Sequence, residues 1–199
     1  IIIGGGGHAK SCIEIIEQST NYKIAGIIEK SNFEHDNVLG YEIIGNDDDL
    51  EKLNPTFKNA FIGIGQLSNF SYRLKLFNQL LSYGYNLPKI ISKNSLVSKY
   101  AKIGDGTIIM NGSFINVNAE IGENCIINSK SLIEHDAKIN NNCHISTGCI
   151  INGNVTVEPN TFIGSNTVVR ESLTIGKNSV ISFGSKVESN LKANSFFKN

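Results

Sequence analysis

From Val97 to Val187 every sixth residue is Ile or Val without a break: Val97, Ile103, Ile109, Ile115, Ile121 and onward through Ile175, Ile181 and Val187. A helix turns once in about 3.6 residues and would smear such a stripe around its cylinder. Two residues before each aliphatic stands a second, mostly small residue, among them Ala101, Thr107, Ser113, Cys125, Cys143 and Cys149. Residues two apart on a strand face the same way, so each flat segment sends one large and one small side chain inward. Three residues after each aliphatic the slot is usually Gly or Asn, as at Gly106, Gly112, Asn118, Asn124, Gly148 and Asn166. These residue types accept left-handed backbone angles with little strain, as a sharp corner requires. The three signals agree and predict short strands joined by tight corners, three hexads to a coil. The expected fold is a left-handed parallel β-helix of hexapeptide repeats, roughly five coils tall.

The preceding residues follow another pattern. Ile1-Ile2-Ile3 reads as a buried strand and Gly4-Gly5-Gly6-Gly7 as a tight loop. A helix opens at His8, with apolar residues at Cys12, Ile13, Ile15 and Ile16. A second strand is expected over residues 23–28, ending in Glu29, a third apolar run covers 60–65, and a helix spans 71–82. Strand alternating with helix predicts a small parallel α/β sheet, a Rossmann-like half. The expected domains are 1–90, α/β, and 91–199, β-helix.

A glycine-rich turn from strand to helix brings backbone N–H groups and the positive end of a helix toward a phosphate. Glu29, ending the second strand, is where such folds place an acid that accepts hydrogen bonds from a nucleotide. Counted from Gly4 and Gly6, the third position of the dinucleotide fingerprint is Ala9, a permitted variant, so the spacing alone leaves a nicotinamide site open. About ninety residues are too few for both mononucleotide halves. A half-site for one nucleotide is the preferred reading, and a loop serving only strand–helix packing is the plainer one.

Composition narrows the class. Lys and Arg total 18, Asp and Glu 18, and no basic run occurs, which argues against nucleic acid. No stretch approaches the roughly 20 apolar residues of a membrane span, and no signal peptide is visible, so a cytoplasmic protein is expected. The first residue is Ile1, with an initiator Met expected to have been removed or trimmed. Three of the four cysteines fill the small inward slot and read as core residues of a protein in a reducing compartment.

The repeat breaks at Ile133-Glu134-His135-Asp136-Ala137, where Asp136 takes a corner slot that elsewhere is mostly Gly or Asn. His144 follows beside Cys143, so two of the four histidines lie within ten residues of each other. A His held by a carboxylate has one fixed tautomer and is suited to act as a general base near neutral pH. A solvated corner histidine beside an incidental acid is the plain alternative. A zinc pair of His135 and His144 lacks a third ligand at metal-like spacing, and no metal is expected. His35, in Glu34-His35-Asp36, reads as a surface residue.

These segments resemble the hexapeptide-repeat sugar acetyltransferases of the sialic acid O-acetyltransferase and bacillosamine-pathway type. The resemblance spans nearly the whole chain. It rests on Ile3-Gly4-Gly5-Gly6-Gly7-His8, Ile62-Gly63-Ile64-Gly65, Ile133-Glu134-His135-Asp136, and His144-Ile145-Ser146-Thr147-Gly148 with Gly153-Asn154. It implies acetyl-CoA as co-substrate and a homotrimer with active sites between neighbouring β-helices. His135 would be the general base and Asp136 would raise its basicity. His144 would contact acetyl-CoA near the thioester, and backbone at Ser165 and Phe183 would line the pantetheine channel. Gly6, Gly7, His8, Glu29 and Gly65 would bind a nucleotide sugar. The implied reaction is N-acetylation of the 4-amino group of a nucleotide-linked amino-dideoxy sugar in surface-glycan biosynthesis, by direct attack on the thioester. O-acetylation of sialic acid or a related nonulosonate is the nearest alternative, and a non-catalytic scaffold or metal-binding β-helix is one of another class. Two features depart from the family: Glu29-Lys30 replaces its usual acidic pair, and the sequence ends Ser195-Phe196-Phe197-Lys198-Asn199 where many members carry a Gly-x-Pro-Ala-Lys tail. Either a tail is missing or the cofactor's adenine end is held differently.

Overall fold

A computed structural model describes residues 1–18, 22–30 and 36–198. His35 lies outside the described residues. The chain forms two compact units, one of Ile1–Gly65 with Ser71–Pro88, the other of Gln66–Phe70 with Lys89–Asn199.

The first unit holds a five-stranded sheet. Its strands are β1 (Ile2–Ile3), β2 (Ile27–Ile28), β3 (Asn37–Val38), β4 (Tyr41–Gly45) and β5 (Phe61–Ile62), in the order β3-β4-β2-β1-β5. β1 pairs in parallel with β2 and β5, and β2 with β4. Helices α1 (Gly7–Gln18) and α3 (Ser71–Ser82) pack on it, and α2 (Leu50–Leu53) is a single turn. α1 buries Ala9, Cys12, Ile13, Ile15 and Ile16, and α3 buries Leu76, Phe77 and Leu80. Two details differ from the sequence reading. The second strand is confined to Ile27–Ile28, and of residues 23–26 only Gly26 meets the sheet, its carbonyl accepting from Ile2 N at 3.1 Å. The sheet also gains an antiparallel hairpin, β3–β4, turned at Leu39 and Gly40, both with positive φ.

The second unit is the left-handed β-helix. Its strands stack as three walls of parallel two-residue strands, in strict eighteen-residue register: Ile126 lies opposite His144, Ile115 opposite Ile133, and Ile121 opposite Ile139. The first wall runs from Ile90–Ile91 to Phe196–Phe197 and has seven strands, the second from Leu96–Val97 to Lys186–Val187 has six, and the third from Lys102–Ile103 to Thr174–Ile175 has five. The prism is thus about a coil taller than the period alone suggests, because Ile90 and Phe196 extend the first wall past the ends of the Ile/Val series.

The interior follows the two-slot pattern. The aliphatics from Ile109 to Val187 are buried in one continuous core. Truncating one such Ile to Ala would cost about 2–5 kcal/mol. The small slot carries a second regularity, for its hydroxyls and thiols donate to a carbonyl fifteen residues onward. Thr107 reaches Gly122 O at 2.7 Å, Ser131 reaches Ser146 O at 2.8 Å, Cys125 reaches Asn140 O at 3.1 Å and Cys149 reaches Gly164 O at 3.1 Å. Ser, Thr and Cys are therefore interchangeable there as small donors, which accounts for the internal cysteines without reactivity. Burial pushes the Cys149 thiol up to about 11.

Candidate active site

In the first unit the turn after β1 is shaped by glycines for two different reasons. Gly4 has φ +101°, which only glycine adopts without strain, and its N–H bonds Ile28 O at 2.8 Å. Gly6 and Gly7 have ordinary φ, and a Cβ on either would meet nothing within 4 Å. Packing therefore does not demand glycine there, and the open space lies at the N-terminus of α1, where an anion is favoured. Glu29 sits against this turn, its Oε2 accepting from Gly5 N at 2.5 Å and its Oε1 from Lys30 N at 2.9 Å. His8 flanks Gly65, its Cβ 3.5 Å from where a Gly65 Cβ would stand. The structure thus gathers Gly6, Gly7, His8, Glu29 and Gly65 around one loop. Sequence reasoning missed Arg73, which is buried on α3 and donates from one guanidinium nitrogen to Ile62 O at 2.7 Å and Ile64 O at 2.8 Å. It fixes the strand end that carries Gly63 and Gly65.

In the β-helix, His135 and Asp136 form the corner between the second and third walls. Asp136 has φ +60°, the left-handed angle its slot requires. Its Oδ2 lies 2.8 Å from His135 Nδ1, and its Oδ1 accepts from Asn118 Nδ2 at 3.3 Å, one coil below. Those two hydrogen bonds hold the Asp136 carboxyl below the usual carboxylate range. An ionised carboxylate only accepts, so Nδ1 carries a proton, and in the neutral imidazole Nε2 is left as the acceptor. Beside them Glu134 accepts from Asn116 Nδ2 at 2.6 Å and from the His135 backbone N–H at 3.2 Å, pinning the corner.

His144 stands outward on the first wall, 5% exposed. Its Nδ1 bonds the carbonyl of Gln66, and Gln66 Nε2 donates to Asn142 O at 2.8 Å. A carbonyl only accepts, so Nδ1 carries the proton and Nε2 accepts from Asn128 Nδ2, 3.3 Å away. The amide orientation agrees, since Asn128 Oδ1 accepts from Ser129 N at 2.8 Å. Phe162 packs edge-on at 5.3 Å between ring centroids. Sequence reasoning missed Gln66, Asn128 and Phe162. Phe162 was reachable, being eighteen residues beyond His144, whereas nothing local marks Gln66.

Comparison with known proteins fits both units. The PglD N-terminal domain matches residues 1–80, and the bacterial transferase hexapeptide, a family of six-repeat segments, matches 118–153 and 154–189. A variant of perosamine N-acetyltransferase from Caulobacter crescentus, solved with CoA and GDP-perosamine, aligns with 29% identity over 96% of this chain and 89% of its own, TM-score 0.90. The acetyltransferase domain of PglB from Neisseria gonorrhoeae shares the fold, with 24% identity, coverage of 96% and 91%, and TM-score 0.87. So does WeeI from Acinetobacter baumannii, with 22% identity, coverage of 96% and 92%, and TM-score 0.85. No curated protein sequence matches.

Both matches agree with the resemblance to the hexapeptide-repeat sugar acetyltransferases. The chain is an acyltransferase.

Within this acyltransferase the two histidines are not brought together. The walls follow one another around a triangular prism, so the corner between the second and third walls points away from the first. His135 and Asp136 lie on that corner and His144 on the opposite wall. Ser165 and Phe183 are on His144's side, at the corner between the first and second walls. They stack in adjacent coils through Gly184 N to Ser165 O at 2.8 Å, and Ser165 Oγ lies 2.8 Å from Ser146 Oγ on the first wall. Phe183 is 82% exposed. Among the described residues no three or more His, Cys, Asp or Glu gather as a metal site would need, and no helix is long and apolar enough to cross a membrane.

Proposed function

We propose that the chain is an acetyl-CoA-dependent N-acetyltransferase that acts on the 4-amino group of a nucleotide-linked amino-dideoxy sugar, as a homotrimer in the cytoplasm, in surface-glycan biosynthesis. The observation that carries this reading is the His135–Asp136 pair, with Nδ1 against the carboxylate and the imidazole half-exposed, on a fold shared with an enzyme solved with CoA and GDP-perosamine. The open N-terminus of α1 at Gly6 and Gly7 fits a diphosphate. Glu29 contributes a carboxylate for the nucleoside, and His8 and Gly65 line the approach.

In the reaction, the sugar amine attacks the thioester carbonyl and forms the C–N bond. His135 Nε2 takes the amine's proton as charge develops, while Asp136 steadies the resulting imidazolium. The C–S bond then breaks, and His135 returns the proton to the leaving thiolate of CoA. On the other side, His144 accepts from Asn128 and so orients its amide toward the thioester. Ser165 and Phe183 supply the corner along which the pantetheine lies.

The separation of His135 from His144 argues for sites shared between chains. The second wall turns Leu96, Phe114, Leu132, Ile150 and Val168 outward, an apolar stripe that ends at Lys186, whereas the third wall turns out Lys102, Glu120, Lys138, Thr156 and Thr174. Packing three second walls around a threefold axis sets the His135 corner of one chain beside the Ser165–Phe183 corner of the next. The test is thiol release from acetyl-CoA against UDP-, dTDP- and GDP-linked 4-amino sugars, CMP-sialic acid and free sialic acid. Release with a 4-amino sugar is expected. Release with the sialic acids alone, or none at all, would overturn the N-acetyl reading.

A further inference from the structure

We infer that Gly153 is a positioning residue that seats the His135 imidazole. The inference rests on the reading of His135 as the base. Gly153 stands eighteen residues after His135, one coil onward in the same corner column. A Cβ built on it would lie 2.7 Å from His135 Cε1, 2.8 Å from Nε2 and 3.4 Å from Cδ2, and these are its three nearest heavy atoms. The ring therefore rests on the bare Cα of Gly153. Nothing else calls for glycine there. Its φ lies outside the left-handed region. The equivalent slot in neighbouring hexads holds Val117, Glu123, Ser129, Asn141, Thr147, Pro159, Ser165 and Glu171, and from Lys99 to Ser189 glycine occurs in it only at 153.

The backbone on both sides is fixed. Asn154 N donates to His135 O at 3.0 Å, and Ser172 N donates to Gly153 O at 2.9 Å, so the coils cannot separate to admit a methyl group. The imidazole must yield instead. Reaching an ordinary carbon contact of about 3.5–4.0 Å means a retreat of roughly an ångström at the Cε1–Nε2 edge. That edge carries the lone pair that takes the proton, and the swing pulls Nδ1 off the Asp136 carboxylate, 2.8 Å away. The seat and the carboxylate thus act as two stops, one fixing the ring's rotation and the other its tautomer.

The test is Gly153→Ala in two backgrounds. In the otherwise native enzyme, kcat is expected to fall about 100-fold, the loss typical of a misplaced catalytic group, with the KM for acetyl-CoA within about threefold because that ligand approaches another corner. In His135→Ala no imidazole remains to displace. There Gly153→Ala should leave the residual rate unchanged, and the melting temperature at or above that of His135→Ala, since Ala is favoured at a compatible φ. A native-like kcat for Gly153→Ala beside an inactive His135→Ala would overturn the seat while sparing the base. A further loss of rate or melting temperature in the His135→Ala background would also overturn it, by tracing the effect to the fold. A fully active His135→Ala would remove the base, and the seat with it.

Discussion

His135 and His144 lie nine residues apart, on opposite sides of one prism, and the chain holds them in opposite ways. His135 is half-exposed at a corner, fixed by a neighbouring carboxylate and rested on a glycine. His144 is enclosed on a wall, fixed by Gln66 O and Asn128. In both, Nδ1 is turned to an acceptor, Asp136 Oδ2 or Gln66 O, yet only the His135 imidazole is open to solvent. A histidine meant to exchange protons needs access, and one meant to orient a neighbour needs enclosure. His135 is thus placed to exchange protons and His144 to orient Asn128.

The contrast breaks most visibly in activity. His135→Ala should lower kcat by about 10²–10⁴-fold, the usual contribution of a general base. Its melting temperature should stay within about 2 °C, since an exposed side chain carries little stability. A variant that lost stability and kept activity would reverse the assignment. Next comes the assembly face. Ile150→Asp puts a charge into the outward stripe of the second wall, and sedimentation should report monomers with no transferase activity. A trimer surviving that change would locate the interface elsewhere. His144→Ala should affect stability more than His135→Ala does. It strands the Gln66 carbonyl and the Asn128 amide, at about 1–3 kcal/mol, or several degrees of melting temperature for a chain of this size.

Smaller effects sharpen the same comparison. Asn118→Ala removes one of the two donors that hold Asp136 low, so kcat should fall by less than about tenfold, one hydrogen bond's worth. The sign on pH follows. Asp136 is depressed, so the function of its carboxylate persists above the ordinary carboxylate value and is lost as pH falls through the depressed one. Without Asn118, loss on acidification should begin at a higher pH, and an unmoved acid limb would show that Asn118 does not act through Asp136. Least of all should thiol reagents matter. Cys12 is pushed up to about 12 and Cys149 to about 11 by burial, and all four cysteines are enclosed. Native protein at pH 8 should give no fast reaction with an aromatic disulfide, and four equivalents should appear on denaturation.

Legibility in the sequence followed the repeat. From Val97 to Val187 the walls, corners and inward slots of the β-helix could be read from the Ile/Val period, because each hexad repeats the same demands. That regular background makes His135-Asp136 stand out. The α/β unit offers no such reference. Its hairpin at Asn37–Gly45 went unseen because its turn, Leu39-Gly40, is not one of the Asn-Gly or Asp-Gly pairs that mark a two-residue hairpin, and the second strand is shorter than the run at 23–28 suggests. Gln66 was illegible for another reason. Its bond to His144 joins residues 78 apart, and no local signal predicts which distant loop will cover a wall. Gly153 lies between these cases. It was visible as a glycine out of place, but its reason, the ring one coil below, exists only in three dimensions.

The central claim is that one active site draws His135 from one chain and His144 from the next. Co-expressing His135→Ala and His144→Ala chains, each expected to be inactive alone, tests it directly. In randomly mixed trimers a shared site is intact when a chain with His135 precedes a chain with His144, which gives about a quarter of native activity. The account predicts that recovery. If the mixed trimers stay as inactive as their parents, both histidines serve within one chain or only one serves at all, and the shared site is contradicted.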